Sequence, residues 1–465
     1  MTRDPILEPP HGGEGWHGEI LATLALAWPL VLANLAQMLV YAVDVIFVAR
    51  LGAEALAAAS LAVSIFGIVT WSLSGMSGMV AALISAELGR RRHAVREVRR
   101  SARMALWLAV LTGLGAMVFM HFGEAIMLAT GQEPAIAARS GEFLGVLKWA
   151  MVPMLVSNVL RNFVSALGRP IFATLIAALA IGVALVGNWC FVFGHLGAPA
   201  LGLYGSPLSS VLTSLFGVAA YVVAIFSDRR LRRYRVFGNW WRPEWHRFRE
   251  LVRTGTPVTL TIVAEAGLFG GAAFLMGRFG AEQLAGHTVA LNLAALAFQV
   301  PFGVAQAATI RVGYFYGARD PAAIGRAGWT AIAIGGGFML FTASLMLFAP
   351  RTIIRLYVDP DAAKNAVLVG FALRYMVIAA AFQLFDGVQA VSAGCLRGLQ
   401  DTRVPMWMAL FGYWVPGFGI AVGLGFFTPL QGVGVWIGFA AGLFVVAALL
   451  LWRWSRRNRL ALASA

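Results

Sequence analysis

Long apolar stretches alternate with short polar connections along the whole chain. They fall near residues 21–49, 56–86, 104–122, 143–165, 171–194, 201–226, 252–277, 284–314, 325–349, 367–395, 404–427 and 432–452. Each is long enough to cross a hydrocarbon core of roughly 30 Å as a helix. A segment in lipid must satisfy its own backbone N–H and C=O groups, and a helix does so. The pattern predicts an all-α polytopic membrane protein with twelve transmembrane helices.

The pattern also repeats. RLGAEALA (50–57) returns as RFGAEQLA (278–285) with six of eight residues identical, at an offset of 228. The same offset places Pro29 on Pro257, Gly75 on Gly303, Gly89 on Gly317 and Arg91 on Arg319. Six helices per half is an even number, so the two halves enter the membrane in the same direction, as parallel repeats. The expected organisation is a tail over 1–20, an N-lobe over 21–226, a basic linker over 227–250, a C-lobe over 251–452 and a tail over 453–465. The polar N-terminal stretch MTRDPILEPPHGGEGWHGEI is expected to be a cytoplasmic tail and not a signal peptide.

Composition agrees with this reading. The 465 residues are 60% hydrophobic and 12% charged, with mean hydropathy +0.77, whereas soluble domains are nearer a quarter charged. The net charge of +15 is concentrated in RRRHAVREVRRSAR (90–103), DRRLRRYR (228–235) and RWSRRNR (453–459), each beside an apolar run. Counting Arg161, Arg169, Arg311, Arg319, Arg397 and Arg403 with the even-numbered loops as well, both termini are expected in the cytoplasm. This placement favours membrane lipid as the partner of the charge, with no nucleic acid. Cys190 and Cys395 stand alone in apolar segments and form no disulfide or metal pattern. There is no GK[ST] phosphate loop, no dinucleotide fingerprint and no HExxH, so the chain is not expected to be an enzyme.

Three carboxylates lie deep in predicted spans: Asp44 within LVYAVDVIFVA (39–49), Glu265 and Asp386. Each costs about 2.5–3.5 kcal/mol at a helix centre on insertion scales, and no Lys or Arg lies deep in predicted helices 1, 7 or 10. Such an acid must be protonated, hold a cation or face water. They are the expected cation-coupling residues, taking either a proton or a small hard cation such as Na⁺ held by Glu265 and Asp386. Gln37 and Asp44 are seven residues apart and share a helix face. Asn34, Asn158, Asn162, Asn188, His287, Asn292 and Gln389 are neutral or weakly basic polar groups in apolar surroundings. Gln389 stands three residues after Asp386 and is the best placed to support it.

The residues 29–58, TPVTLTIVAEAGLF (256–269), GAEQLAGHTVALN (280–292), AATIRVGYFYGARD (307–320) and FDGVQAVSAGCLRGLQDTRVP (385–405) resemble the multidrug and toxic compound extrusion (MATE) transporters, in the NorM-type branch. The likeness covers nearly the whole chain. It implies a two-lobe, twelve-helix monomer in the bacterial inner membrane, without cofactor, exporting cationic and often aromatic drugs in exchange for Na⁺ or H⁺. It places coupling on Glu265 and Asp386 with a first-lobe acid at Asp44, and site support on Gln37, Asn34, Asn188, His287, Asn292, Gln389 and Phe382. Two positions depart from relatives: Asn188 stands where other branches carry an aspartate, and Phe382 where some carry a tyrosine. A lipid-linked precursor flippase and a passive channel are the alternative readings.

Overall fold

Why the chain forms helices follows from the solvent that its apolar surface demands, and helices are what a computed structural model shows over residues 15–90, 94–355 and 358–460. No strand occurs among these described residues. Twelve helices are long and apolar enough to cross a membrane. We number them α1 (Trp16–Ala49), α2 (Ala53–Arg90), α3 (Val95–His121), α4 (Pro134–Ala166), α5 (Ile171–Phe193), α6 (Gly202–Ser227), α7 (Trp245–Gly277), α8 (Ala281–Ala318), α9 (Pro321–Phe348), α10 (Ala363–Gly398), α11 (Arg403–Phe427) and α12 (Gly432–Ser455). Large apolar side chains such as Leu39, Phe274, Phe341, Trp407 and Phe444 are left exposed, as lipid-facing positions are. The outermost parts of both tails, and Arg91, lie outside the described residues.

Irregularities have local causes. Pro153 lacks an N–H, and its ring crowds the carbonyl four residues earlier; Lys148–Ala150 accordingly tightens to a 3₁₀ turn. α2 is interrupted at Met79. The Asn158 amide of α4 donates there to the Ser74 carbonyl at 3.1 Å and to Ser77 Oγ at 2.9 Å. Tyr413–Phe418 of α11 is π-helical around Pro416. Beside it, α12 approaches closely: a Cβ on Gly438 would lie 2.3 Å from the Ala421 nitrogen. Small residues permit this backbone-to-backbone packing where lipid supplies no hydrophobic drive.

The repeat is visible in backbone geometry. Gly52 and Gly280, the shared glycine of RLGAE and RFGAE, precede α2 and α8 with φ of 110° and 112°. Side chains other than glycine are strained there.

The chain divides into two compact units, one of Leu32–Thr259 and one of the residues up to Val31 with those from Leu260. The unit edges fall two residues after Pro29 and two residues after Pro257. Each unit thus divides the first helix of a sequence half: the start of α1 belongs with α8–α12, and the start of α7 belongs with α2–α6. An ion pair holds each start. In one unit, Arg311 of α8 donates to Glu19 of α1 through Nε at 2.9 Å and through Nη2 at 2.5 Å. In the other, Arg247 of α7 pairs with Glu87 at 2.8 Å and Glu97 at 3.2 Å. Position 247 is position 19 plus the repeat offset of 228, so the two halves use equivalent sites with inverted charge.

The helix bounds correct the reading of three arginines as loop charges. Arg161, Arg311 and Arg397 lie within α4, α8 and α10. Arg311 is 1% exposed. A carboxylate 292 residues away neutralises it, which no local count of charges reveals.

Removing one member of a buried ion pair costs about 3–5 kcal/mol, while replacing both by apolar groups of similar size is often neutral. Glu19→Ala is therefore expected to lower thermal stability in detergent sharply, and Glu19→Leu combined with Arg311→Met to recover most of it. A melting series showing the double variant as unstable as the single would refute this account.

Candidate functional site

The predicted acids fall in two clusters, one in each unit. In the unit of Leu32–Thr259, α5 and α6 pack closely enough that a Cβ on Gly187 would meet Ser209 Oγ at 2.5 Å. This brings two donors to Asp44, which is half-buried on α1. Asn188 Nδ2 donates to Asp44 Oδ1 at 2.7 Å, and Ser210 Oγ donates to Oδ2 at 2.8 Å. Asn188 also donates to the Ala184 carbonyl at 2.9 Å and to Ser209 Oγ at 3.2 Å. No ion pair to Asp44 occurs among the described residues. The charge is answered by neutral dipoles. An amide at position 188 donates this bond in any state, whereas an aspartate there would donate only when protonated.

Asn34, on the same helix, accepts from Arg161 Nη1 at 3.2 Å. Gln37 is partly buried. Lys148, in the 3₁₀ turn of α4, sits 3.5 Å from His121.

The other unit holds Glu265 on α7 and Asp386 and Gln389 on α10. Asp386 is 6% exposed, and its Oδ1 has no hydrogen-bond partner. Glu265 lies close enough to interact with it electrostatically, and Arg397, in the last turn of α10, is close enough to Glu265 to do the same. Gln389 donates to the Tyr413 hydroxyl of α11, while Gln389 Oε1 is buried without a partner. Two carboxylates and the Tyr413 hydroxyl thus lie within electrostatic range of one another, and two acceptor atoms on α10, Asp386 Oδ1 and Gln389 Oε1, are unsatisfied. Buried acceptors of this kind call for a donor or a cation. Among the described residues no group of three or more His, Cys, Asp or Glu could hold a metal ion, so any cation here relies on amide and hydroxyl oxygens as well.

Phe382 lies one turn before Asp386, against Phe269 at 6.0 Å and Trp436 at 5.5 Å between ring centroids. His287 joins the same aromatic cluster, 5.5 Å from Trp436. It is 1% exposed, and neither ring nitrogen has a partner. Asn292 is exposed and is not gathered with the acids. Sequence reasoning missed Ser210, Tyr413 and Arg397. Ser210 could have been suspected from SPLSSVLTS, a run of hydroxyls in an apolar helix. Tyr413 returns a hydroxyl to the cluster from another helix than the one bearing Phe382.

Comparisons with known proteins agree in both halves. The MatE family profile matches residues 29–190 and 257–422. Its two matches start one repeat offset apart. A protein of Mesorhizobium japonicum described as a probable multidrug resistance protein NorM is 44% identical over 446 residues, 96% of this chain and 96% of its own length. The multidrug resistance protein NorM of Burkholderia vietnamiensis is 36% identical over 93% of this chain and 92% of its length. A crystal structure of a eukaryotic MATE transporter superposes with a TM-score of 0.86 at 19% identity, over 96% of this chain and 99% of that one.

Asn188 and Ser210 each donate one bond to the acid; Asn188 also reaches the Ala184 carbonyl and Ser209 Oγ across the α5–α6 contact, whereas the further contact of Ser210 is to Ser206 of its own helix. A buried group left unpartnered costs about 1–3 kcal/mol. Asn188→Ala is therefore expected to destabilise the protein more than Ser210→Ala, with a less than additive loss when the two are combined. Denaturation curves in which Ser210→Ala is the more damaging change would contradict the geometry.

Proposed function

We propose that this chain, which belongs to the MatE family, is a secondary active exporter of cationic, often aromatic drugs. It works by alternating access in exchange for Na⁺ or H⁺. Support comes first from the named relatives, described as multidrug resistance proteins across nearly their whole length. The observation that carries the coupling is the unsatisfied Asp386 carboxylate beside Glu265. In a low-dielectric interior such a group is stabilised by binding a cation or a proton. Asp386, Glu265, Gln389 Oε1 and the Tyr413 hydroxyl are the oxygens that would surround Na⁺, and the same carboxylates would take a proton.

Loading that site removes net charge from the membrane interior. A change in charge alters which surroundings the segment prefers, and so biases one access state over another. Inward passage of one positive charge across 100 mV supplies about 2.3 kcal/mol, and the ion gradient adds to it. Export then needs no ATP. Asp44, satisfied by neutral donors, serves substrate handling in the first half. We place the protein as a monomer in the bacterial inner membrane with both termini cytoplasmic.

Ethidium efflux from proteoliposomes, with Na⁺ and pH gradients imposed one at a time, tests this. One gradient or both is expected to drive uphill efflux. Flux that only runs downhill and ignores both gradients would fit a passive channel and end the proposal. Asp386→Asn and Glu265→Gln should each reduce exchange to background with the protein still inserted, and Asp44→Asn should weaken it. Full exchange by either of the first two variants would remove the site.

A further inference from the structure

The basic connection between α6 and α7 is folded onto its own unit. Asp228 caps the short helix Arg229–Arg232, accepting from the Arg230 and Leu231 amides at 2.8 Å and 3.1 Å, and pairs with Arg169 at 3.3 Å. Two turns follow, closed by the Gly238 amide on the Arg235 carbonyl at 2.9 Å and the Arg242 amide on the Asn239 carbonyl at 3.1 Å. α3 holds this backbone along one side. Arg99 Nε donates to the Tyr234 carbonyl at 2.7 Å, Arg103 Nη1 to the Asn239 carbonyl at 2.9 Å and Trp107 Nε1 to the Trp240 carbonyl at 3.2 Å. The three donors stand four residues apart, on one face of α3. Leu231 and Val236 are buried beneath the connection.

What the folded connection leaves outward is aromatic and cationic. Trp241 is 83% exposed and Trp245, at the start of α7, 56%. Indoles favour the boundary between membrane and water, where the ring is in apolar surroundings and the N–H is wet. Contacts fix their height. Phe237 stacks on Phe226 with ring centroids 5.9 Å apart, and Trp240 lies 6.4 Å from Trp107. Phe226 and Val223 are exposed on one face of the last turns of α6, where that apolar helix would meet lipid. The aromatic edge of the connection is thus level with the ends of the apolar stretches of α3 and α6.

The charge is just as one-sided. Residues 228–253 contain nine arginines and three acids, and every acid is already engaged: Asp228 with Arg169, Glu244 with Arg100 at 3.2 Å and Glu250 with Arg247 at 2.9 Å. Arg232, Arg233, Arg235 and Arg242 are exposed, with no ion-pair partner among the described residues. Free guanidinium groups beside exposed indoles complement a surface that is anionic at its face and apolar behind it. The guanidinium fork also matches the oxygens of a phosphate.

We propose that the α6–α7 connection is a docking surface for anionic phospholipid. Trp241 and Trp245 enter the headgroup region, and Arg232, Arg233, Arg235 and Arg242 hold the phosphates. Because α3 ties the connection down, lipid bound there braces α3, α6 and the start of α7 together. The inference stands apart from the exporter reading and does not depend on what the chain carries.

The test titrates the full-length protein in nonionic detergent with brominated phosphatidylglycerol or brominated phosphatidylcholine. The fluorescence loss that disappears in the variant carrying Trp241→Phe and Trp245→Phe reports on those two indoles. Phosphatidylglycerol is expected to quench them at lower concentration than phosphatidylcholine. Arg232→Gln, Arg233→Gln, Arg235→Gln and Arg242→Gln are each expected to raise the half-quenching concentration of phosphatidylglycerol about fivefold and to leave phosphatidylcholine unchanged. Arg456→Gln with Arg459→Gln, which removes exposed arginines near the C-terminus, is expected to change neither. Equal quenching by the two lipids, an equal loss in the Arg456/Arg459 variant, or a fluorescence loss identical with and without the two tryptophans would overturn the proposal. Displacement of phosphatidylglycerol by polyglutamate or by an oligonucleotide would overturn it too, by assigning the surface to a soluble polyanion.

Discussion

Hydrocarbon offers no hydrogen-bond partner, and everything else in this structure follows from that. The backbone meets the constraint by remaining helical. Side chains meet it through pairs that span the sequence. Glu19 neutralises Arg311, Asn158 stitches the interruption of α2, and Gln283 of α8 donates to Gln431 at 2.6 Å while accepting from Tyr375 at 3.0 Å. Polar groups answered in this way are architecture. Others are not answered, among them Asp386 Oδ1, Gln389 Oε1 and both ring nitrogens of His287.

The internal repeat separates what geometry demands from what chemistry leaves free. Gly52 and Gly280 are the same residue because the backbone at both turns has a positive φ that a side chain resists. Glu19 and Arg247 are opposite in charge at equivalent positions because an ion pair needs only complementarity. The same freedom makes the halves unequal in ion chemistry. One unit surrounds its acid with neutral donors. The other gathers two carboxylates and leaves acceptors open.

Much of this was legible in the sequence, because hydropathy is a local property that accumulates along a segment. The twelve spans, the repeat and the three deep acids all followed from residue order alone. Gln389 shares a helix face with Asp386, three residues away, but the bond it makes is to Tyr413 of α11. Arg161, Arg311 and Arg397 count with the loops on sequence alone because each stands near the end of an apolar stretch, where charge is ordinarily assigned to the adjoining connection.

What the chain by itself determined was therefore one-dimensional: which stretches enter the membrane, in what order, and with which costly groups inside them. Which group satisfies which was decided only in three dimensions. Asn188 and Ser210 reach Asp44 from 144 and 166 residues away, and Gln389 of α10 reaches the Tyr413 hydroxyl of α11. Hydrogen bonds and ion pairs act over a few ångströms, and only helix packing brings residues so distant in sequence to that range.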